Sequence, residues 1–346
     1  MSIKDAIARV SAGESLEADE ASEAMEEIVQ GRATPSQIAA LAVALRMKGE
    51  TAKEIAGLAR VMRRESVKVA VQGEVLDTCG TGGDGCSTFN ISTVAAFVAS
   101  GAGARVAKHG NRAFTSFCGS ADVLEALGIA IDLQPSEVAR CVEEVGIGFM
   151  FAPLYHPAMK HAALPRREIG IRTVFNVLGP LTNPAGASTQ LLGVPSADLA
   201  PIMGEVLGML GTRRALVVHG SDGLDEITLG GPTEVVELFE GRHRTFAVDP
   251  EEFGLGRSSV SELAGGTATQ NAAIAEAVLG GEEGPRRDVV LMNAGAALYA
   301  AGKVDTIAQG VEAARESIDS GAAAGKLASL RAMSQILRES RLGHVS

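Results

Sequence analysis

The chain has 346 residues, 46% hydrophobic and 21% charged, enough for a substantial globular core and for two domains. Lys and Arg number 31 against 42 Asp and Glu, and the formal net charge of −11 disfavours broad adhesion to nucleic acid or an anionic membrane, while 3% aromatic residues and no Trp leave little on which to stack single-stranded bases. No apolar run reaches the ~18 residues of a membrane span, and the N-terminus MSIKDAIARVSAGESLEADE lacks an apolar signal region, so a cytoplasmic enzyme is expected.

Residues 1–66 predict a helical domain. Thr34-Pro35-Ser36-Gln37 supplies an N-cap, a proline at the first helical position and a reciprocal Gln, followed by the apolar stripe Ile38, Leu41, Ala42 and Leu45. Thr51-Ala52-Lys53-Glu54 is a second capping box, ahead of Ile55, Leu58, Ala59 and Met62 on one face. After Val67 the runs EVLDTCG, ARVAKHG, RALVVHG and DVVLMNAG read as strands alternating with helical patterns, which predicts a mostly parallel sheet covered on both faces. Ligands of such sheets sit beyond the C-terminal ends of the strands. The polar glycine turns CGTGGDG, KHGNR and HGSDGLDE are therefore expected to converge on one cleft.

Between about 150 and 186 the chain is dense in Pro, Gly, Arg and Asn, and its helical stretch is expected to return to the N-terminal helices, with about 163–185 completing that domain. The α/β domain would then span 67–162 and 186–346. His156 and His161 are five apart, a spacing that does not put both on one helical face, so packing or capping is expected of them. The polar tail after Ala332 reads as the continuation of a final helix.

The stretch DTCGTGGDGCSTFNIST contains Gly80, Gly82 and Gly85 in the G-x-G-x-x-G order of dinucleotide folds. That fold needs a helix directly after the turn and an acid about 20 residues on. Neither is present: the next helical pattern starts at Ser92 or Thr93, and GAGAR follows it. No Lys-Ser or Lys-Thr pair follows the last glycine, which excludes a Walker loop. What remains is a backbone anion cradle at a helix N-terminus, with Thr88, Asn90, Ser92 and Thr93 adding polar groups. Asp84 repels a phosphate and fits either ribose hydroxyls or a magnesium ion. The cysteines Cys79, Cys86, Cys118 and Cys141 have neither C-x-x-C pairing nor zinc spacing and read as reduced, mostly buried thiols.

Taken in order, GTGGDG with TFNIST, KHGNRAFTSFCGSADVLEALG, RREIGIRTVFNVLGPLTNP and HGSDGLDEIT resemble the anthranilate phosphoribosyltransferases of tryptophan biosynthesis over nearly the whole chain. The resemblance implies a small N-terminal helical domain plus a larger α/β domain of the nucleoside phosphorylase/phosphoribosyltransferase type, and a homodimer joined through the helical domain. It implies that Gly80, Gly83, Asp84, Thr88, Asn90, Ile91, Ser92 and Thr93 contact phosphoribosyl pyrophosphate. Lys108, His109, Gly110, Asn111, Arg112, Ala113, Phe114, Thr115, Ser116 and Ser120 would form the second wall, with Lys108 as a point charge for pyrophosphate and Ser120 capping ADVLEAL ahead of Gly128. Anthranilate would meet Arg166, with Gly80, His109 and Asn111; a surface ion pair is the other reading of Arg166. Magnesium, two ions per subunit, would be held by Ser92, Asp225 and Glu226. For Arg172 a structural tie between segments is expected, and Cys118 stands where the family more often has serine.

The implied reaction is displacement at the ribose anomeric carbon, aided by electrostatic stabilisation of the leaving pyrophosphate, with no general base assigned. A nucleoside phosphorylase of the same fold and a non-catalytic nucleic-acid-binding relative are the alternatives.

Overall fold

A computed structural model describes residues 1–113 and 117–343. Four helices come first: α1 (Ile3–Ser11), α2 (Ala18–Val29), α3 (Pro35–Lys48) and α4 (Ala52–Glu65). Both expected capping boxes form, with Thr34 accepting from Gln37 N and Thr51 from Glu54 N. Glu54 does more than cap. Its buried carboxylate also accepts from Leu16 N at 2.9 Å and Lys48 Nζ at 3.0 Å, so one side chain fastens the α1–α2 connection and the end of α3 to the start of α4.

The sheet follows, as β1 (Leu76–Gly80), α5 (Ile91–Gly101), β2 (Val106–Gly110), α6 (Ser120–Ala126), α7 (Pro135–Arg140), β3 (Ile147–Phe151), α8 (Ala152–Tyr155), α9 (Lys160–Ile169), α10 (Phe175–Leu178), β4 (Thr189–Gly193), α11 (Leu199–Met209), β5 (Arg214–Gly220), β6 (Thr233–Phe239) and β7 (Arg242–Val248). The strand order is β3-β2-β1-β4-β5-β6-β7, parallel as far as β5 and antiparallel from β5 to β7. Four helices close the chain: α12 (Ala268–Leu279), α13 (Pro285–Ala300), α14 (Ile307–Asp319) and α15 (Ala322–Gly343).

Two apolar clusters flank the sheet. One joins α5, α13, α14 and α15 to one face. The other joins α11 and the opposite face to the N-terminal helices, together with Ala162, Val174, Phe175, Leu178 and Leu181. The segment around 160–181 thus returns to the front of the chain, α9 packing on α3 and α10 on α4. Arg63 of α4 fastens this junction by donating to Leu181 O at 2.6 Å and Leu210 O at 2.8 Å.

One expected strand is a helix. DVVLMNAG lies inside α13, which is buried from Val289 to Ala300 and runs under the sheet. A helix covered on all sides has no polar face to reveal its period, so a short apolar run of this kind reads equally as a buried strand. Among the described residues no helix is long and apolar enough to cross a membrane.

Candidate active site at the strand ends

Strands β1, β2, β4 and β5 all end on glycine, and at β1 and β4 the reason is the loop that follows β5. A Cβ on Gly193 would stand 1.5 Å from the Asp225 carbonyl oxygen, and one on Gly80 would stand 2.3 Å from Asp225 Oδ2. The loop after β5 therefore folds back across the end of β4 to reach β1, a path open only over glycine. Strand order reverses between β1 and β4, so the loop enters the crevice where open α/β sheets bind ligands.

The glycine loop meets it there. Gly82, Gly83 and Gly85 have φ of 67°, 83° and 73°, and Ser87, at 51°, is also left-handed. Gly82 N donates to Asp225 Oδ2 at 2.7 Å. Arg172 lies so close over Gly83 that a Cβ would stand 1.7 Å from its guanidinium, and it donates to Thr81 O at 3.2 Å, the tie expected of it. Asp84 accepts from Cys86 N at 3.2 Å, and Thr88 makes a bridge to Ala264. Phe89 then plunges into the core, its N–H given to Leu263 O, and pins the loop before α5. That helix starts at Ile91, a residue earlier than the sequence predicts, with Asn90 as its N-cap. Ile91 is itself buried in the core, and its N–H is given to Phe89 O.

Three groups meet at this helix start. Glu226 Oε1 accepts from Ser92 N at 3.1 Å, while Lys108 Nζ donates to Thr78 O at 2.5 Å and Ser92 Oγ at 3.3 Å. Burial pushes the Glu226 carboxyl up to about 7, with Lys108 opposing the shift. Burial also raises the Asp225 carboxyl well above its usual range, and repulsion from Glu226 and Asp84 adds to it. Lys108, only 3% exposed, lies beneath the loop, its ammonium reaching the start of α5 from below. Its charge faces the Asp77 and Glu226 carboxylates, while burial lowers its own pKa. Thr93 Oγ1 is buried without a partner.

On the other face of β2, His109 receives a different environment. Its N–H donates to Asp77 Oδ1 at 3.3 Å, and Nδ1 donates to Gly179 O at 3.2 Å, leaving Nε2 a buried acceptor without a partner. His156 packs against it with the rings tilted by 55° at 5.1 Å between centroids, its Nε2 also unpaired. Burial pulls the two imidazoles down to about 3 and about 4, so both are neutral. Arg166 lies in the last turn of α9, with its guanidinium 5.7 Å from the centre of the Phe175 ring, on the segment that leads to Gly179. Arg166 and His109 thus flank the same α10 turn. His161 packs elsewhere, against Gly31.

The turn after β2 is closed by Asp122, which accepts from Ala113 N at 3.0 Å and Gly119 N at 2.9 Å. Arg112 is held by Asp122 and Glu125, and Asn111 caps its own turn by accepting from Arg112 N. Ser120 does not cap α6. Gly119 is the N-cap, and the Ser120 hydroxyl donates to Asn111 O at 3.3 Å, filling the space that a Cβ on Gly110 would need. Phe114, Thr115 and Ser116 lie outside the described residues. All four cysteines are free, and the Cys118 thiol turns to Gly119 O.

Sequence reasoning overlooked the polar supports. Asp77, fully buried and pushed up to about 6 by that burial, accepts from Asn183 Nδ2 at 2.8 Å. Asn271 donates to Asn90 Oδ1 at 2.9 Å and so fixes the cap of α5. An acid inside LDTCG and amides inside apolar runs were the available signals, since buried polar groups need partners.

Among the described residues no three His, Cys, Asp or Glu side chains are grouped to hold a metal alone. Two adjacent buried carboxylates of raised pKa, repelling each other, nevertheless fit a hard cation that takes its other ligands from substrate phosphates and water.

Two family descriptions match the sequence: "Glycosyl transferase family, helical bundle domain" over residues 4–66 and "Glycosyl transferase family, a/b domain" over residues 72–324. The anthranilate phosphoribosyltransferase of Moorella thermoacetica is 60% identical over 326 residues, 94% of this chain and 96% of its own. The crystal structure of the enzyme of that name from Thermus thermophilus superposes with a TM-score of 0.91 at 47% identity, covering 96% of this chain and 99% of its own. The Saccharomyces cerevisiae enzyme in complex with PRPP and Mg gives 0.88 at 31% identity, covering 96% and 98%.

Proposed function

The chain belongs to the anthranilate phosphoribosyltransferase family, and on that premise we propose how its strand-end cleft carries the reaction. The protein transfers the phosphoribosyl group of phosphoribosyl pyrophosphate to the amine of anthranilate, giving N-(5-phosphoribosyl)anthranilate and pyrophosphate in tryptophan biosynthesis. The relatives' names favour this over the phosphorylase and nucleic-acid-binding alternatives.

The observation that carries the reading is the meeting of Asp225 and Glu226 with the glycine loop at the start of α5. The loop backbone from Gly80 to Asp84 and the polar groups of Thr88 to Thr93 cradle the phosphates, where the helix N-terminus favours negative charge. Magnesium, used by the family, would be held by Ser92, Asp225 and Glu226 and, when bound, offsets the charge that builds on the leaving pyrophosphate. We assign two ions per subunit. Lys108 opposes part of the burial cost of the Glu226 charge from below.

Anthranilate would lie against the α10 turn, its carboxylate on Arg166 and its amine near His109 and Asn111, with Gly80 below. A neutral His109 whose Nε2 lacks a partner can accept an amine N–H, and at about 3 it is too weak a base to remove a proton at neutral pH. The neutral amine attacks the anomeric carbon as the bond to pyrophosphate breaks, and the proton made acidic on the newly bonded nitrogen passes to the released pyrophosphate or to solvent. Alignment of two substrates away from water supplies most of the acceleration. The same reading includes a helical domain of residues 1–66 completed by about 163–185, a homodimer through that domain, and a cytoplasmic location.

Anthranilate fluorescence, followed with phosphoribosyl pyrophosphate and magnesium, tests the assignment. Consumption that needs both additions is expected; anthranilate left untouched, or phosphorolysis of nucleosides instead, would refute it.

A further inference from the structure

We infer that Asn293 is a positioning residue for the metal carboxylates. It lies on α13 and is fully buried, and all its hydrogen bonds go to backbone. Its Oδ1 accepts from Ile227 N at 2.9 Å, and its Nδ2 donates to Ile227 O at 2.9 Å and to Val289 O at 2.9 Å. One amide therefore reads both polar groups of the residue that follows Glu226, as a neighbouring strand would.

The loop needs such a clamp because its contents repel. Asp225 and Glu226 are buried next to each other with Asp84 close by, and both carboxyls stay raised although Lys108 faces Glu226 and Arg172 faces Asp225. Gly82 N and Ser92 N hold the carboxylates from the glycine-loop side. From below, Thr228 ties the same loop internally, its N–H donated to Thr233 Oγ1 and its hydroxyl to Asp222 Oδ2. Asn293 links it to the rigid helix under the sheet, fixing both the direction of the chain and the register at which the two carboxylates leave it. Truncating the side chain leaves the buried N–H and C=O of Ile227 unpaired, and the loop relaxes to regain partners, carrying the carboxylates with it. Supports of this kind govern metal affinity through ligand orientation.

The inference rests on Asp225 and Glu226 holding the metal, and the test separates the two claims. Binding of Mn2+ with pyrophosphate is measured by electron paramagnetic resonance on the full chain, on Asn293→Ala, on Asn293→Asp, which keeps the acceptor and loses the donor, and on Leu291→Ala, which truncates a buried apolar residue of the same helix. Expected is about a tenfold loss of Mn2+ affinity in Asn293→Ala, a smaller loss in Asn293→Asp and a change under about twofold in Leu291→Ala. The KM for anthranilate should stay within about twofold throughout. If Asn293→Ala does not fold, the Asn293→Asp result decides. Affinity in the Asn293 variants equal to that of Leu291→Ala overturns the inference while leaving the metal site standing. Failure of the unaltered chain to take up Mn2+ overturns both.

Discussion

His109 and His156 show how far environment moves a side chain from its ordinary chemistry. Each stays neutral because burial denies it a proton, and each keeps an unpaired Nε2. An unfolded histidine titrates near 6.5. Below that pH the unfolded chain binds protons that the folded one refuses, so these two groups lower stability as pH falls from 6.5 towards 4. Asp77, raised to about 6, acts with the opposite sign: its stabilisation is present at low pH and is lost as pH rises through 6. In His156→Gln the acid-side loss of melting temperature between pH 6.5 and 4 should become shallower than in the unaltered chain. An unchanged slope would mean that His156 is not held neutral. The sequence set Asp225 and Glu226 on a strand-end turn, where the structure brings them to the glycine loop, yet it could not show that Lys108 is buried, because a lysine at a strand end reads the same whether its ammonium points to solvent or under a loop.

Among the elements, the loop after β5 decides the geometry of the site. Its route over β4 and β1 depends on Gly193 and Gly80, and the backbone of Asp225 cannot yield as a flexible side chain would. Gly193→Ala is expected to cost roughly 1–3 kcal/mol in denaturant unfolding and to weaken Mn2+ binding. Gly325→Ala, within α15 and with open space around its Cα, should instead be neutral or stabilising by up to about 1 kcal/mol. Equal effects from the two substitutions would contradict the crossing described here. Element type was readable where periodicity was clear: the capping boxes of α3 and α4 and the glycine-ended strands β1, β2 and β5 stand where the sequence puts them. It failed at α13, where burial on all sides erases the amphipathic signal, and by one residue at α6, where Asp122 reaches back to Gly119 N and makes glycine, not Ser120, the cap.

Across the whole molecule, two polar clusters lie on opposite faces of β2. Lys108 points toward the start of α5 and the carboxylates, while His109 points toward α10 and the segment that carries Arg166. The parallel topology was legible from alternation of strands and helices, but the meeting of segments more than a hundred residues apart was not, since Gly82 and Asp225 share no local pattern. The central claim is that these faces serve different substrates. Steady-state kinetics of Asp225→Asn and Arg166→Ala test it most directly, with magnesium, phosphoribosyl pyrophosphate and anthranilate each varied in turn. Asp225→Asn should raise the magnesium and phosphoribosyl pyrophosphate requirements about tenfold or more and leave the anthranilate KM within about twofold, and Arg166→Ala should do the reverse. Both variants impairing the same substrate, or Arg166→Ala leaving anthranilate kinetics unchanged, would contradict the account.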